Sequence, residues 1–149
     1  MNYIEKNLMA GENIVYQTKL HWAVFLWPVF FFLISIPFFI NADTAIIGVF
    51  LIPIAIIAGI SSFIKYSTSE FGITNRRVIV KTGLIRRNSL EVLLNKIEGI
   101  QVNQGILGRI LNYGSITISG TGGTKDPFHG ITNPLDFRKT AQQMIASIQ

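Results

Sequence analysis

Residues 22–40 read WAVFLWPVFFFLISIPFFI and residues 45–64 read AIIGVFLIPIAIIAGISSFI, and neither stretch contains a charged residue. The stretches are 19 and 20 residues long, and about 20 apolar residues are needed for an α-helix to cross the ~30 Å hydrocarbon core of a bilayer. Only residues 41–44 separate them. This arrangement predicts an antiparallel transmembrane hairpin that returns the chain to the side from which it entered.

The rest of the chain has a different composition. Overall, 49% of the residues are hydrophobic and 14% are charged, against about 25% charged in a typical soluble domain. All 13 Lys and Arg lie outside residues 22–64, and Asp43 is the one acidic residue inside. We therefore predict three parts: an N-terminal segment at 1–21, the hairpin at 22–64 with its loop at 41–44, and a polar domain at 65–149.

Basic residues near the ends of the spans predict the orientation. The loop at 41–44 has no Lys or Arg, whereas both flanking segments do. The positive-inside rule then places both termini in the cytoplasm, in a multi-pass protein of the cell membrane. Two buried core helices would be the soluble alternative, but a chain of 149 residues is too short to enclose two helices that are apolar on all sides. The spans contain no ionisable group, which argues against a pump or carrier.

The polar domain has the alternation of apolar and polar side chains that is typical of half-buried β-strands, beginning at about Tyr66. The clearest runs are residues 71–73, 78–80, 89–94, 100–102 and 115–119. Residues 11–20 have similar character, and whether they add an edge strand to the domain is left open by the sequence.

Two further segments favour helices. Residues 105–114 are apolar and bracketed by glycines, with helical spacing of four Ile and Leu side chains, which predicts a short helix or ordered loop in the core. At the C-terminus, Asn133 suits an N-cap, Pro134 the first helical position and Asp136 a returning hydrogen bond. An apolar stripe from Phe137 to Ile148 follows, and we expect it to cap the β-structure. The predicted fold class is an α+β membrane protein with a small PH-like (pleckstrin-homology-like) β-barrel or sandwich.

The domain resembles a known family. Residues 71–87 read FGITNRRVIVKTGLIRR and residues 94–116 read LNKIEGIQVNQGILGRILNYGSI. Together with the preceding Ala10-Gly11-Glu12 and His21-Trp22, these stretches resemble the bacterial PH domain family of membrane-flanked proteins. The resemblance implies a PH-like barrel on a two-helix anchor, without known enzymatic activity. Some members are associated with tolerance to membrane-active peptides, including the self-immunity of producer cells.

Six basic residues are the candidate binding residues. Residues 65–149 contain 11 Lys and Arg against 5 Asp and Glu, a net charge of +6, and a basic domain beside a membrane is attracted to anionic lipid. If a strand leaves the membrane at Lys65 and the next one returns, the turn after Lys81 lies near the membrane. We therefore predict that Lys65, Lys81, Arg86 and Arg87 bind anionic headgroups. Arg76 and Arg77, at the distal turn, are predicted to serve a protein or peptide partner. The simpler alternative is that all six are solvated surface charges.

Other chemistries have little support in the sequence. There is no cysteine, and the two histidines lie far apart, so no metal site or cofactor is predicted and no catalytic residue is assigned. The basic residues lack interleaved aromatic side chains, which disfavours nucleic acid as a partner.

The sequence thus predicts a non-enzymatic, membrane-anchored PH-like adaptor that binds lipid headgroups or a protein or peptide partner at the inner leaflet. Tolerance to a membrane-active peptide is a more specific version, based on the resemblance alone. An accessory subunit of a membrane transporter or enzyme complex is the alternative, and so is a self-assembling homo-oligomeric scaffold.

Overall fold

The computed structural model describes residues 3–40, 42–84, 88–124 and 127–148. The chain divides into two compact units, one formed by residues 1–21 with 68–149 and the other by residues 22–67. The predicted limits of 1–21, 22–64 and 65–149 are therefore revised, because the N-terminal segment belongs to the same unit as the C-terminal domain.

The hairpin unit consists of two helical segments that run antiparallel. The first contains helix α2 (Leu26–Ser35) between short 3-10 turns at Trp22–Phe25 and Ile36–Phe39, and the second is helix α3 (Ala45–Thr68). Near the open end, Ser62 donates a hydrogen bond to the Val24 carbonyl at 3.2 Å. Near the loop, Gly48 lies so close to the Phe39 ring that an added Cβ would be 2.5 Å from it. Within the described residues, two helices are long and apolar enough to cross a membrane.

Helix α3 corrects one sequence expectation. Tyr66 was expected to begin the β-structure, but α3 continues through Thr68 with Pro53 inside it. The first strand after the hairpin begins at Glu70. Lys65 is thus a helical residue of the hairpin unit and does not lie on a strand, since α3 extends past it to Thr68.

Sheet A has four antiparallel strands in the order β1-β2-β3-β4. Its strands are β1 (Ile14–Lys19), β2 (Glu70–Thr74), β3 (Arg77–Thr82) and β4 (Asn88–Leu93). Strand β2 is buried on both faces because helix α1 (Tyr3–Lys6) crosses one of them. Ile4 of α1 is fully buried, and its Cδ1 would lie 2.7 Å from a Cβ added at Gly72.

The hairpin is inserted between two paired strands. Strand β1 ends at Lys19, opposite Glu70 at the start of β2, and the two strands are antiparallel neighbours. Residues 20–69 therefore replace what would be the turn of an ordinary β-hairpin. The question that the sequence left open is answered, because residues 14–19 form the edge strand of sheet A.

Sheet B is built around a central strand, β6. Its strands are β5 (Ile97–Asn103), β6 (Tyr113–Gly120), β7 (Gly123–Thr124) and β8 (Phe128–Thr132), and β6 pairs antiparallel with the other three. The sheets meet where Leu20 bridges to Ile131 and Thr18 Oγ1 donates to the Thr132 carbonyl at 2.9 Å. Helix α4 (Ile106–Leu111) connects β5 to β6.

Helix α5 (Pro134–Ser147) contacts both sheets. Phe137 and Ala141 are fully buried, and the Phe137 ring meets Tyr16 edge-on at 6.1 Å between centroids. Asn133 precedes the helix as predicted, but the prediction that its side chain caps the helix is wrong, because it makes no side-chain capping hydrogen bond. Instead it adopts a left-handed conformation, and its Oδ1 accepts a hydrogen bond from Asn112.

Candidate functional surfaces

Arg77 is the centre of a buried ion network. It is 6% exposed, and its guanidinium forms a bidentate pair with Glu12, with Nε to Oε1 and Nη2 to Oε2 both at 2.9 Å. Nη1 donates to Glu91, and Nη2 also donates to the Asn7 carbonyl at 2.8 Å. The network joins the N-terminal segment to strands β3 and β4.

The Glu12 carboxylate has two further donors. The Thr74 hydroxyl donates to Oε1 at 2.7 Å, and the Met9 amide donates to Oε2 at 2.8 Å. Burial alone would raise the pKa of Glu12, but the hydrogen bonds from Arg77, Met9 and Thr74, with the charge of Arg77, lower that pKa from 4.5 to about 2. The hydrogen bond to Glu12 in turn raises the pKa of Arg77, so both partners are ionised at neutral pH.

This network bears on the prediction that Arg76 and Arg77 serve a protein or peptide partner. Arg76 is exposed in the turn between β2 and β3, whereas the donors of Arg77 are used inside the protein. The partner-binding role stays a prediction for Arg76. For Arg77 the structure gives a different role, which is to pair with Glu12. Without the Arg77 side chain, the Glu12 carboxylate would be a buried charge without its ion pair.

The four predicted headgroup residues are distributed unevenly. Lys65 is exposed on α3 and belongs to the hairpin unit, whereas Lys81 belongs to sheet A. Lys81 is half-buried, and its Nζ lies 4.4 Å from the centroid of the Tyr3 ring, a cation–π geometry. Arg86 and Arg87 lie outside the described residues.

The strand register defines two ends of the domain. The chain leaves β1 through Leu20 and His21 and enters β2 at Glu70, which pairs with both Lys19 and Lys81. We name this the connection end. The turn between β2 and β3, with Arg76, lies at the opposite end of the same strands. Lys81 is therefore at the connection end and Arg76 is not.

Helix α4 also belongs to the connection end. Tyr113, which begins β6 directly after α4 and its C-cap, pairs with Thr132, and the next residue, Gly114, pairs with Ile131. Ile131 in turn bridges to Leu20. The Tyr113 ring stacks on His21 with centroids 5.1 Å apart. Burial of His21 lowers its pKa, so the stacked imidazole is neutral at neutral pH.

The apolar side of α4 faces away from the protein. Ile106 is 82% exposed, Leu107 59% and Ile110 73%, and we call these three residues the α4 patch. The sequence-based expectation that this segment belongs to the core is wrong for them. The helix docks through Gly108, where an added Cβ would lie 2.5 Å from the Tyr113 carbonyl oxygen.

Two open grooves adjoin this region. One, of about 640 Å³, runs beside α4 and the starts of β6 and β8, and the other, of about 580 Å³, crosses β5, β6 and α5. Among the described residues that line them, the titratable ones are His129, Tyr113 and Arg138. In residues 3–40, 42–84, 88–124 and 127–148, no group of three or more His, Asp or Glu side chains is arranged to hold a metal ion. The expectation of a non-enzymatic protein stays a prediction.

Comparison with known families gives the identity of the domain. The sequence model of the bacterial PH domain matches residues 29–148, which is well over half of the chain. The chain belongs to the bacterial PH domain family. No curated protein and no solved structure matches it. The resemblance seen in the sequence is thus confirmed for the PH domain, while the hairpin is supported by the length and apolarity of its two helices.

Sequence reasoning missed the exposure of the α4 patch for a physical reason. An apolar stripe at helical spacing looks the same whether it faces the core or the surroundings. The one sign of this in the sequence was Gly108, which lies off the apolar stripe. Because glycine has no side chain, this side of α4 can lie close to the Tyr113 carbonyl, and that contact decides which side of the helix is buried.

Proposed function

We propose that this bacterial PH domain protein is a non-enzymatic, membrane-anchored adaptor. The observation that carries the proposal is the insertion of the hairpin between the paired strands β1 and β2. Because both chain connections leave the domain at one end, the anchor holds that end toward the bilayer. Large apolar side chains such as Trp27, Phe50 and Phe63 are more than 60% exposed on the hairpin, as expected of side chains that face lipid.

The proposed location is the inner leaflet of the bacterial cell membrane, with both termini in the cytoplasm. The support is the absence of Lys and Arg in residues 41–44 and their presence on both flanks. The chain contains no cysteine, so single-cysteine variants can be labelled cleanly. A membrane-impermeant maleimide added to intact cells is expected to label Asp43→Cys and to spare Gln143→Cys, and the reverse pattern would refute this orientation.

The proposed ligand of the adaptor is the anionic headgroup. Lys81 lies at the connection end, and its neighbours in sequence, Arg86 and Arg87, are included on sequence grounds, as is Lys65 on the hairpin. Each well-placed basic residue near an anionic surface contributes about 1 kcal/mol. Such a site needs no enclosed pocket.

Hydrogen exchange of the full chain in nanodiscs tests this ligand. Discs that contain anionic lipid are expected to protect the amides around Lys81 more than zwitterionic discs do, and Lys81→Glu is expected to remove the difference. Arg76→Glu, the same charge change at the opposite end, is the matched control and is expected to change nothing. Equal protection in both lipids would refute headgroup binding and favour a protein or peptide partner.

Tolerance to membrane-active peptides is the more specific form of the proposal, and its support is the family resemblance. Cells that express the protein are expected to survive one class of such peptides better than cells that lack it. Killing curves across a panel of peptides measure this, and unchanged curves for every class would refute the tolerance form while leaving the anchored adaptor intact.

A further inference from the structure

The α4 patch places three large apolar side chains on one short helix without covering them. Ile106, Leu107 and Ile110 are each more than half exposed, and Arg109 lies between them in the sequence. Removing apolar side chains from water is favourable, so an uncovered apolar surface of this kind marks a contact with lipid or with another molecule.

The position of the patch favours lipid as the contact. Tyr113, which follows α4, stacks on His21, and Trp22 begins the first apolar segment directly after His21. The chain therefore passes from the domain into the hairpin beside α4. A surface at that point is held close to the bilayer by covalent connection, whatever the tilt of the domain.

The chemistry of the connection end agrees with a bilayer surface. A helix that lies in the interface buries its apolar face at the boundary of headgroups and acyl chains, and its basic residues meet the anionic headgroups. Arg109 on α4 supplies such a charge, and the half-buried Lys81 and the exposed Leu84 lie at the same end of the domain. The net charge of +6 in residues 65–149 adds long-range attraction to an anionic leaflet.

We propose that helix α4 is an interfacial membrane contact: the α4 patch inserts into the boundary between headgroups and acyl chains, and Arg109 binds lipid phosphate. The inference rests on the proposed anchoring by the hairpin and adds a second attachment to it. Attachment through both the hairpin and α4 fixes the orientation of the domain on the membrane. The two chain connections to the hairpin alone would leave the domain free to tilt.

The experiment uses the full chain in nanodiscs at one copy per disc. An environment-sensitive fluorophore is attached to one of three single-cysteine variants: Leu107→Cys in the α4 patch, Leu93→Cys and Ile56→Cys. Leu93 is the matched control, because it is also a surface leucine, 50% exposed, but pairs with Arg77 at the end opposite the connection end. Ile56 lies in the middle of α3 and reports on anchoring alone. Quenching is measured with iodide in the water and with lipids that carry a spin label near the headgroup.

The proposal predicts that the label at residue 107 has blue-shifted emission, loses most of its intensity to the spin-labelled lipid and is spared by iodide. The label at residue 93 is expected to show the opposite quenching pattern. A label at residue 107 that behaves like the one at 93, while the label at 56 is shielded from iodide, would overturn the α4 contact and leave the anchoring intact. A label at 56 that iodide quenches would overturn the anchoring itself.

A second copy of the chain is the competing occupant of the patch. In vesicles that contain many copies, it would shield residue 107 from iodide without quenching by lipid, and Ile106→Cys would form disulfide-linked dimers. That combination would overturn the proposal. Lipid quenching that persists at one copy per disc supports it.

Discussion

At the scale of single residues, two adjacent arginines have opposite environments. Arg76 is exposed, whereas Arg77 is buried against Glu12 and Glu91. The difference arises because Arg76 lies in the turn between β2 and β3, whereas Arg77 is the first residue of β3. The N-terminal segment covers the face onto which Arg77 projects. The adjacency of Arg76 and Arg77 in the sequence therefore does not indicate that they share a function.

Removal of the Arg77 charge is expected to destabilise the domain strongly. Arg77→Met leaves the Glu12 carboxylate buried without its ion pair, which costs about 3–5 kcal/mol. Arg76→Met, the matched control, is expected to change the free energy of unfolding by no more than about 0.5 kcal/mol. Thermal unfolding of the full chain in mild detergent, followed by the circular dichroism of the sheets, measures both. Similar effects of the two variants would contradict the buried network.

Acid is expected to weaken the same network. The pKa of Glu12 falls from 4.5 to about 2 on folding, so its contribution is complete above pH 4.5 and is lost as the pH falls toward 2. A shift of this size corresponds to roughly 3 kcal/mol. The wild-type chain is therefore expected to be more stable than Glu12→Gln at neutral pH, with a difference that shrinks between pH 4.5 and 2. A difference that stays constant over this range would show that Glu12 does not titrate with folding.

At the scale of elements, helix α4 is positioned by one glycine. An added Cβ at Gly108 would lie 2.5 Å from the Tyr113 carbonyl oxygen, which is backbone and cannot turn away, whereas at Gly105 nothing lies within 4 Å. Asn112 ends the helix in a left-handed conformation and turns the chain back into β6. The apolar stripe faces outward because the glycine side of the helix is the side that fits against the sheet.

Two alanine substitutions test how α4 docks. Gly108→Ala is expected to destabilise the domain by about 1–3 kcal/mol, the range for overpacking, and to speed hydrogen exchange in residues 106–111. Gly105→Ala places a methyl group in open space and is expected to stay within about 0.5 kcal/mol of the wild type. Equal exchange rates in the two variants would mean that α4 is not docked through Gly108.

At the scale of the whole molecule, the PH domain is assembled from both sides of the hairpin. Strand β1, the buried Ile4 and the Glu12 carboxylate all come from residues 1–21, and the rest comes from residues after the hairpin. The domain is therefore discontinuous in sequence. Its two segments meet at Lys19 and Glu70, which are neighbours across sheet A.

This topology predicts which soluble versions of the domain fold. Residues 68–149 alone lack an edge strand and the Glu12 partner of Arg77, and they are expected to stay unfolded or to aggregate through the uncovered edge of β2. Residues 1–21 joined to 68–149 by a short glycine-rich turn are expected to fold, because the turn only closes a β-hairpin. Cooperative thermal unfolding distinguishes the two proteins, and a folded 68–149 fragment would contradict the assignment of residues 1–21 to the domain.

The sequence by itself determined the features that depend on composition and local periodicity. Two charge-free stretches of membrane length, most of the strand positions, the C-terminal helix and the family resemblance all follow from residues near each other in the chain. Only the tertiary structure decided that Arg77 is buried, that the α4 patch is exposed and that residues 14–19 pair with β2 across the hairpin. Each of these depends on which distant segment covers a given face, and such long-range pairing leaves no trace in local hydrophobic patterns.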